Sequence, residues 1–269
     1  DCADPLLRQV LPLGDELSEA EGFVGDPVGD LAATAAPGLL HKYQGRALLV
    51  ATGACGVHCR YCFRREFPYG EHQAGRWSAA LAAIAADPSI RELILSGGDP
   101  LSLSNARLSE LGARLAELPQ VTRLRIHTRQ PVVLPERVDQ GLIDWLAGLP
   151  LQKVVVIHAN HAAELDSSVE DALRRLAGAG ATLLNQSVLL RGVNDSVDAL
   201  AGLSERLFAA GVLPYYLHLL DRVRGSAHFE VPESAAVALH AALRDRLPGY
   251  LVPRLVRELS GEGSKTPVA

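Results

Sequence analysis

The chain has 269 residues, of which 48% are hydrophobic and 21% charged, and a formal net charge of −5. That is enough apolar material for one large α/β domain with a full core, and it excludes a disordered chain. The acidic balance argues against a broad basic face for nucleic acid, and no apolar run is long enough to span a bilayer. A cytoplasmic protein without nucleic-acid or membrane partners is therefore expected.

There is no methionine, and the chain opens on Asp1-Cys2-Ala3-Asp4-Pro5. This opening reads as the middle of a longer protein, with Cys2 a bystander. Residues 1–40 are rich in Pro, Gly and acidic side chains and read as an irregular lead-in with short helical turns. From residue 46 a repeating pattern begins. Short β-branched or apolar runs at 47–52, 92–96, 122–128, 153–158, 182–189 and 213–219 predict strands. Ala/Leu-rich stretches at helical spacing fall between them, at 77–86, 104–117, 135–149, 167–179 and 197–210. Gly180 and Gly211 follow two of these stretches, where a left-handed helix cap is expected.

Strands alternating with helices predict parallel βα units, six of them. The chain has no room for eight, so a partial, open (β/α)6 barrel is expected over residues 41–232. A further helix at 233–246 opens a C-terminal segment, 233–269. Polar motifs fall at the C-terminal ends of all six predicted strands: the cysteine loop, Ser96-Gly97-Gly98-Asp99-Pro100, His127-Thr128-Arg129, His158-Ala159-Asn160-His161, Asn185-Gln186-Ser187, and His218 with Asp221. Such convergence on one rim predicts an active site at the barrel mouth.

The cysteine loop is Cys55-Gly-Val-His-Cys59-Arg-Tyr-Cys62, spaced C-x3-C-x2-C. Three thiolates on one tight loop suit an iron–sulfur cluster. A four-iron cube held by three thiolates keeps one iron open to an exogenous ligand. Structural zinc with His58 or His72 is the alternative, and ordinary reduced thiols are another. A disulfide fits poorly with an odd cluster of cysteines.

The glycines at 97 and 98 would let backbone approach a polar ligand, or simply form a strand-to-helix turn. Arg60, Arg64 and Arg65 surround the last cysteine, and would offset the negative cluster or grip a substrate carboxylate. Lys42 and Arg46 precede the first predicted strand, as surface charges or part of a phosphate site. Lys265 stands in Gly263-Ser264-Lys265-Thr266-Pro267. A lysine in such a tail is ordinarily solvated; the alternative is a Schiff-base lysine for pyridoxal phosphate (PLP).

Together these residues resemble the lysine 2,3-aminomutases of the radical S-adenosylmethionine (SAM) superfamily. The resemblance covers nearly the whole chain and is strongest to the short branch that makes β-lysine for modifying elongation factor P. It is carried by Asp4-Pro5-Leu6, His41-Lys42-Tyr43, Cys55 to Tyr69, Ser96 to Leu101, Asn185 to Arg191, Pro214 to His218 and Ser264 to Pro267.

The resemblance implies that Cys55, Cys59 and Cys62 hold a [4Fe-4S] cluster whose open iron SAM chelates. It implies that Gly97, Gly98, Asp99, His158 and Gln186 contact SAM, with Tyr61 against the adenosyl part. Lys265 is implied as the PLP lysine, and Lys42, Tyr43 and Arg46 as phosphate-side residues. Lys42 stands where longer relatives have arginine. Arg64 is implied for the substrate α-carboxylate, and Asp221 and Glu258 for the ε-ammonium of L-lysine. Glu258 replaces an aspartate of the longer enzymes. The implied partners are L-lysine, an electron donor, and elongation factor P with its lysyl ligase. An acidic pair independently favours a cationic substrate tail over glutamate. The competing readings are an aminomutase for arginine or glutamate, a radical SAM enzyme without PLP, and a zinc-binding module that is not an enzyme.

Overall fold

A computed structural model describes residues 3–72 and 77–268; Cys2 lies outside them. The lead-in contributes a hairpin, β1 (Thr34–Ala36) and β2 (Leu39–Tyr43), which runs antiparallel into β3 (Arg46–Thr52). Short 3-10 turns at Leu7–Gln9 and Gly14–Leu17 match the expected helical turns of the lead-in, whereas the hairpin corrects the reading of the rest of it as irregular. The turn is Pro37-Gly38, and Gly38 takes φ +81°, a conformation that a side chain would strain.

After the thiol loop come α1 (Tyr69–His72) and α2 (Ser78–Ala86), then β4 (Glu92–Gly97), α3 (Asn105–Ala116) and β5 (Arg123–Thr128). A single turn, α4 (Gln130–Val133), and α5 (Gln140–Gly148) lead to β6 (Gln152–Ile157). Then α6 (Ser167–Gly178), β7 (Ala181–Val188), α7 (Val197–Ala209), β8 (Leu213–His218) and α8 (Glu233–Arg246) complete the repeat. The chain ends with β9 (Arg254–Arg257) and β10 (Thr266–Pro267).

The ten strands form one sheet in sequence order. From β3 to β9 every neighbouring pair is parallel, so β9 extends the six predicted strands by one. β10 turns back antiparallel on β9, pairing Thr266 with Arg257. The C-terminal arm is thereby tied to the same sheet that carries the thiol loop.

Helix starts follow the sequence chemistry. Ser104, Asp139, Asp166 and Ser196 each accept a backbone N–H from the first turn of the helix they precede, satisfying donors that would otherwise be orphaned. Gly180 and Gly211 adopt φ +85° and +77° after α6 and α7. The main core packs Leu93, Leu95, Leu124, Val155 and Leu183 of the strands against Leu108, Leu111, Leu142 and Leu173 of the helices. A second cluster joins Leu217 and Leu255 to Leu243 of α8. Burying a Leu of this kind is worth roughly 1.5–3 kcal/mol, so the sheet is a rigid base for loops at its mouth. No helix among the described residues is long and apolar enough to cross a membrane.

Candidate active site

The C-terminal ends of the strands surround a cavity of about 350 Å³. Cys55, Cys59, Cys62, Tyr61, Arg64, Gly97, Gly98, Asp99, His158, Gln186, Lys42, Tyr43, Arg46, Asp221, Glu258 and Lys265 all line it. The fold thus brings these sixteen residues into one space, although they span positions 42 to 265, whereas Arg60, Arg65, His58 and His72 are not part of the lining.

The thiol loop leaves the end of β3. Cys55 is exposed, while Cys59 and Cys62 are half-buried, and none is in a disulfide. Although Cys55 keeps an exposed face, partial burial of its sulfur, with Asp99 and the other two thiols adding repulsion, pushes the thiol up to about 12. Burial and Cys59 also push the Cys62 thiol up. Thiolates here therefore need a compensating positive group.

The flanking arginines divide. Arg65 pairs with Glu16 at 2.7 Å and Arg60 pairs with the same carboxylate. Against the cost of burial, hydrogen bonds from Arg60 and Arg65 pull the Glu16 carboxyl down to about 2. Of the three arginines only Arg64 lines the cavity. Its Nε donates to Asp30 Oδ2 at 2.6 Å and its Nη1 to Ser96 Oγ at 3.1 Å.

Gly97 and Gly98 serve first to let two backbone segments meet. A Cβ at Gly97 would stand 2.6 Å from the Thr52 carbonyl, and one at Gly98 would collide with the Ala54 carbonyl. The Gly98 N–H donates to Thr52 O and the Asp99 N–H to Ala54 O, at 2.7 and 2.8 Å. Tyr69 Oη donates to Gly97 O at 2.7 Å. These groups, expected to be free for a ligand, already hold the thiol loop to β4. The Asp99 carboxylate is committed as well: it accepts from Thr128 Oγ1 and from the N–H groups of Leu101, Arg129 and Gln130. Asp99 thereby ties the end of β4 to the end of β5 at the cavity wall.

A second region is ionic. Asp30, nearly fully buried in the lead-in, joins Arg64 to Lys42, whose Nζ lies 2.6 Å from Asp30 Oδ1. Lys42 Nζ also contacts Glu258 Oε1 at 2.8 Å and donates to Val28 O at 2.9 Å. Glu258 Oε2 in turn holds Lys265 Nζ at 2.9 Å. Charges alternate from Arg64 through Asp30, Lys42 and Glu258 to Lys265. Against burial, Lys265 and Lys42 hold the Glu258 carboxyl well below the usual range. Lys265 Nζ also stands 5.7 Å from the Tyr216 ring centroid, so it is turned inward rather than solvated.

Asp221 differs from the other acids. It is half-buried at the cavity wall and makes no ion pair or side-chain hydrogen bond among the described residues. Burial and the nearby Glu258 push its carboxyl up to about 7. Three imidazoles complete the lining. Burial and cationic neighbours, Arg129 first, pull His158 down to about 3, and its Nε2 lies 2.9 Å from Gln186 Nε2. Burial likewise holds His127 and His218 well below the usual histidine range, and their Nε2 atoms are buried without partners. These rings offer polarity to a ligand without charge.

Among the described residues no group of three or more His, Cys, Asp or Glu side chains converges on a single metal ion. His72, offered for zinc, instead packs on Phe67 and accepts the Gly38 N–H on Nδ1. The zinc reading is thereby left with His58 as its candidate fourth ligand. A cube presents its corners over several ångströms, so its thiolates need not meet at a point. Sequence reasoning missed Asp30 and singled out no role for Arg129, although Arg129 sits at a predicted strand end. No local signal marks Asp30.

The thiol loop after the first strand of a partial parallel barrel defines a radical SAM fold. The chain is similar to a radical SAM methyltransferase from Sphaerobacter thermophilus, with a TM-score of 0.55 and 17% identity over 81% of this chain and 68% of that one. A family profile described as a 4Fe-4S single cluster domain matches residues 44–122. Over 98% of its length the chain is 50% identical to the L-lysine 2,3-aminomutase of Escherichia coli (strain K12) and 48% identical to that of Haemophilus influenzae, covering 78% of each. The chain belongs to the L-lysine 2,3-aminomutase family and is an enzyme of the isomerase type.

Proposed function

We propose that the protein converts L-α-lysine to β-lysine with a [4Fe-4S] cluster on Cys55, Cys59 and Cys62, SAM beside it, and PLP on Lys265. The observation that supports this most is that the thiol loop and the inward-turned Lys265, 203 positions beyond Cys62, open into one cavity. The residues fit the three groups. The loop offers three sulfurs and lacks a single-ion site. The two unpartnered imidazole nitrogens of His127 and His218 await polar partners. Lys265 presents its amine beside an aromatic ring, with Arg46 and Tyr43 on the same wall. When bound, the cluster with SAM supplies one-electron chemistry, and PLP an extended π-system in which an unpaired electron can spread while nitrogen moves from Cα to Cβ.

The remaining work falls to side chains. Gly97, Gly98, Asp99, His158, Gln186 and Tyr61 form the SAM wall, with the Asp99 carboxylate also tying that wall to the end of β5. Arg46 and Tyr43 face the phosphate, with Lys42 alongside. The Arg64 fork takes the substrate α-carboxylate. Asp221 takes the ε-ammonium, because it is the acid on the cavity wall with no cation of its own, whereas Glu258 is shared by Lys42 and Lys265. Tyr61, Phe63, Tyr215 and Tyr216 line the cavity and exclude water, which protects a reactive carbon radical. A carboxylate at the far contact favours lysine over glutamate by repulsion. The resemblance extends the reading to a cytoplasmic enzyme whose β-lysine is destined for elongation factor P.

The test is anaerobic reconstitution with iron, sulfide and PLP, followed by a substrate panel of lysine, arginine and glutamate with SAM and a reductant. Conversion of lysine alone supports the proposal. Conversion of arginine or glutamate in its place refutes the substrate assignment.

A further inference from the structure

Arg129 follows β5 and is only 7% exposed. Its guanidinium serves four acceptors. Nη1 donates to Cys59 Sγ and to Tyr61 Oη, both at 2.9 Å. Nη2 donates to Gln9 Oε1 at 2.7 Å and to Glu164 Oε2 at 2.8 Å. Its own backbone N–H is held by Asp99 Oδ2 at 2.7 Å. Each partner is tied in turn. Glu164 Oε1 accepts the N–H groups of Asn160 and His161 and Nε2 of Gln9. Asn160 Nδ2 donates to Tyr61 Oη at 2.7 Å and to Gln9 Oε1 at 3.0 Å. The Gln9 carbonyl accepts the Arg60 N–H at 2.8 Å, inside the thiol loop.

This arrangement is more than packing. A buried Arg–Glu pair adds little net stability over an apolar pair of similar volume. What it supplies is a fixed cation aimed at one sulfur. The planar fork can satisfy four acceptors at once, which an ammonium cannot. Arg64 and Arg65 direct their guanidinium groups elsewhere, Arg64 to Asp30 and Ser96 and Arg65 to the carbonyls of Arg60 and Gly225 and to Glu16.

We propose that Arg129 is a positioning residue that fixes Cys59 and raises the reduction potential of the cluster on the thiol loop. The inference rests on the cluster reading above. A hydrogen bond and a positive charge at a ligand sulfur withdraw electron density and stabilise the reduced cluster, which has gained one electron from an external donor. Because Gln9 and Glu164 hold the fork in place, the effect is built in before SAM or substrate arrives.

The test compares wild type, Arg129→Lys and the double variant Arg129→Met/Glu164→Gln after anaerobic reconstitution. Iron and sulfide content is measured first, then the midpoint potential by reductive titration followed by electron paramagnetic resonance. The double variant removes both buried charges together, so neither is stranded. Its midpoint is expected to fall so that the ratio of reduced to oxidised cluster at the wild-type midpoint drops about tenfold, ~59 mV for one electron. Arg129→Lys keeps the charge but loses the fork, and is expected to show a shift of about threefold in the same direction. A fully loaded variant, either one, with the wild-type midpoint overturns the proposal, and Arg129→Lys alone decides it if the double variant does not fold. Wild type that takes up no iron and sulfide instead overturns the cluster reading itself, and this inference with it.

Discussion

The two functional regions of the cavity are built on opposite principles. The thiol loop is one contiguous segment, Cys55 to Cys62, held by neutral hydrogen bonds to β4 and by a buried network around Arg129. The ionic region is assembled from Asp30, Lys42, Asp221, Glu258 and Lys265, with each cation shared between acids or each acid between cations, except at Asp221. The first suits a group that must not move. The second suits groups that exchange, because an incoming ammonium or phosphate can replace one ionic partner by another at small net cost. Arg64 joins the two, following Cys62 by two positions and pairing with Asp30.

The comparison can be broken most severely at the loop. Cys59→Ser is expected to abolish iron and sulfide uptake and reduce turnover to background, measured by metal and sulfide analysis beside product assay. At the ionic region, Lys265→Ala is expected to remove the PLP imine absorbance and lower turnover by roughly 10³-fold. Retention of both would return Lys265 to the role of a buried countercharge.

Asp221→Asn sharpens the contrast within the ionic region. It is expected to raise the lysine KM by roughly 10–100-fold, since one charged hydrogen bond is lost, whereas an unchanged KM would place the ε-ammonium elsewhere. The same acid carries a pH signature. Its native carboxyl is raised from the ordinary aspartate range to about 7, so between that range and pH 7 the native state binds more protons than the unfolded one. Stability contributed by this group is therefore full at low pH and falls as pH rises towards 7. Lysine KM should fall over the rise through about pH 7, as Asp221 ionises, and Asp221→Asn should flatten both profiles. The smallest effect belongs to Tyr69→Phe, which removes the hydroxyl that donates to Gly97 O. A loss of about 0.5–1.5 kcal/mol in denaturant unfolding is expected.

Much of the fold was legible because parallel strands covered by helices read as apolar runs between amphipathic stretches. The edges were not. β1, β9 and β10 have three, four and two residues, too few for a period to register, although Pro37-Gly38 was a readable turn signal. In the site, the loop was legible because its chemistry lies in one segment. Lys265 came forward only by resemblance; nothing in its own surroundings distinguishes it from a solvated tail lysine until β10 docks on β9. Asp30 was illegible because its burial depends on meeting Arg64 and Lys42, 34 and 12 positions away. Arg129 was visible at a strand end, but its partners Gln9 and Glu164 lie 155 positions apart.

The most direct measurement is product analysis by mass spectrometry after anaerobic incubation of the reconstituted protein with L-lysine, SAM, PLP and a strong reductant. The account predicts β-lysine, formed only when iron, sulfide and PLP are all present. A protein carrying all three that consumes SAM yet returns only α-lysine would contradict it.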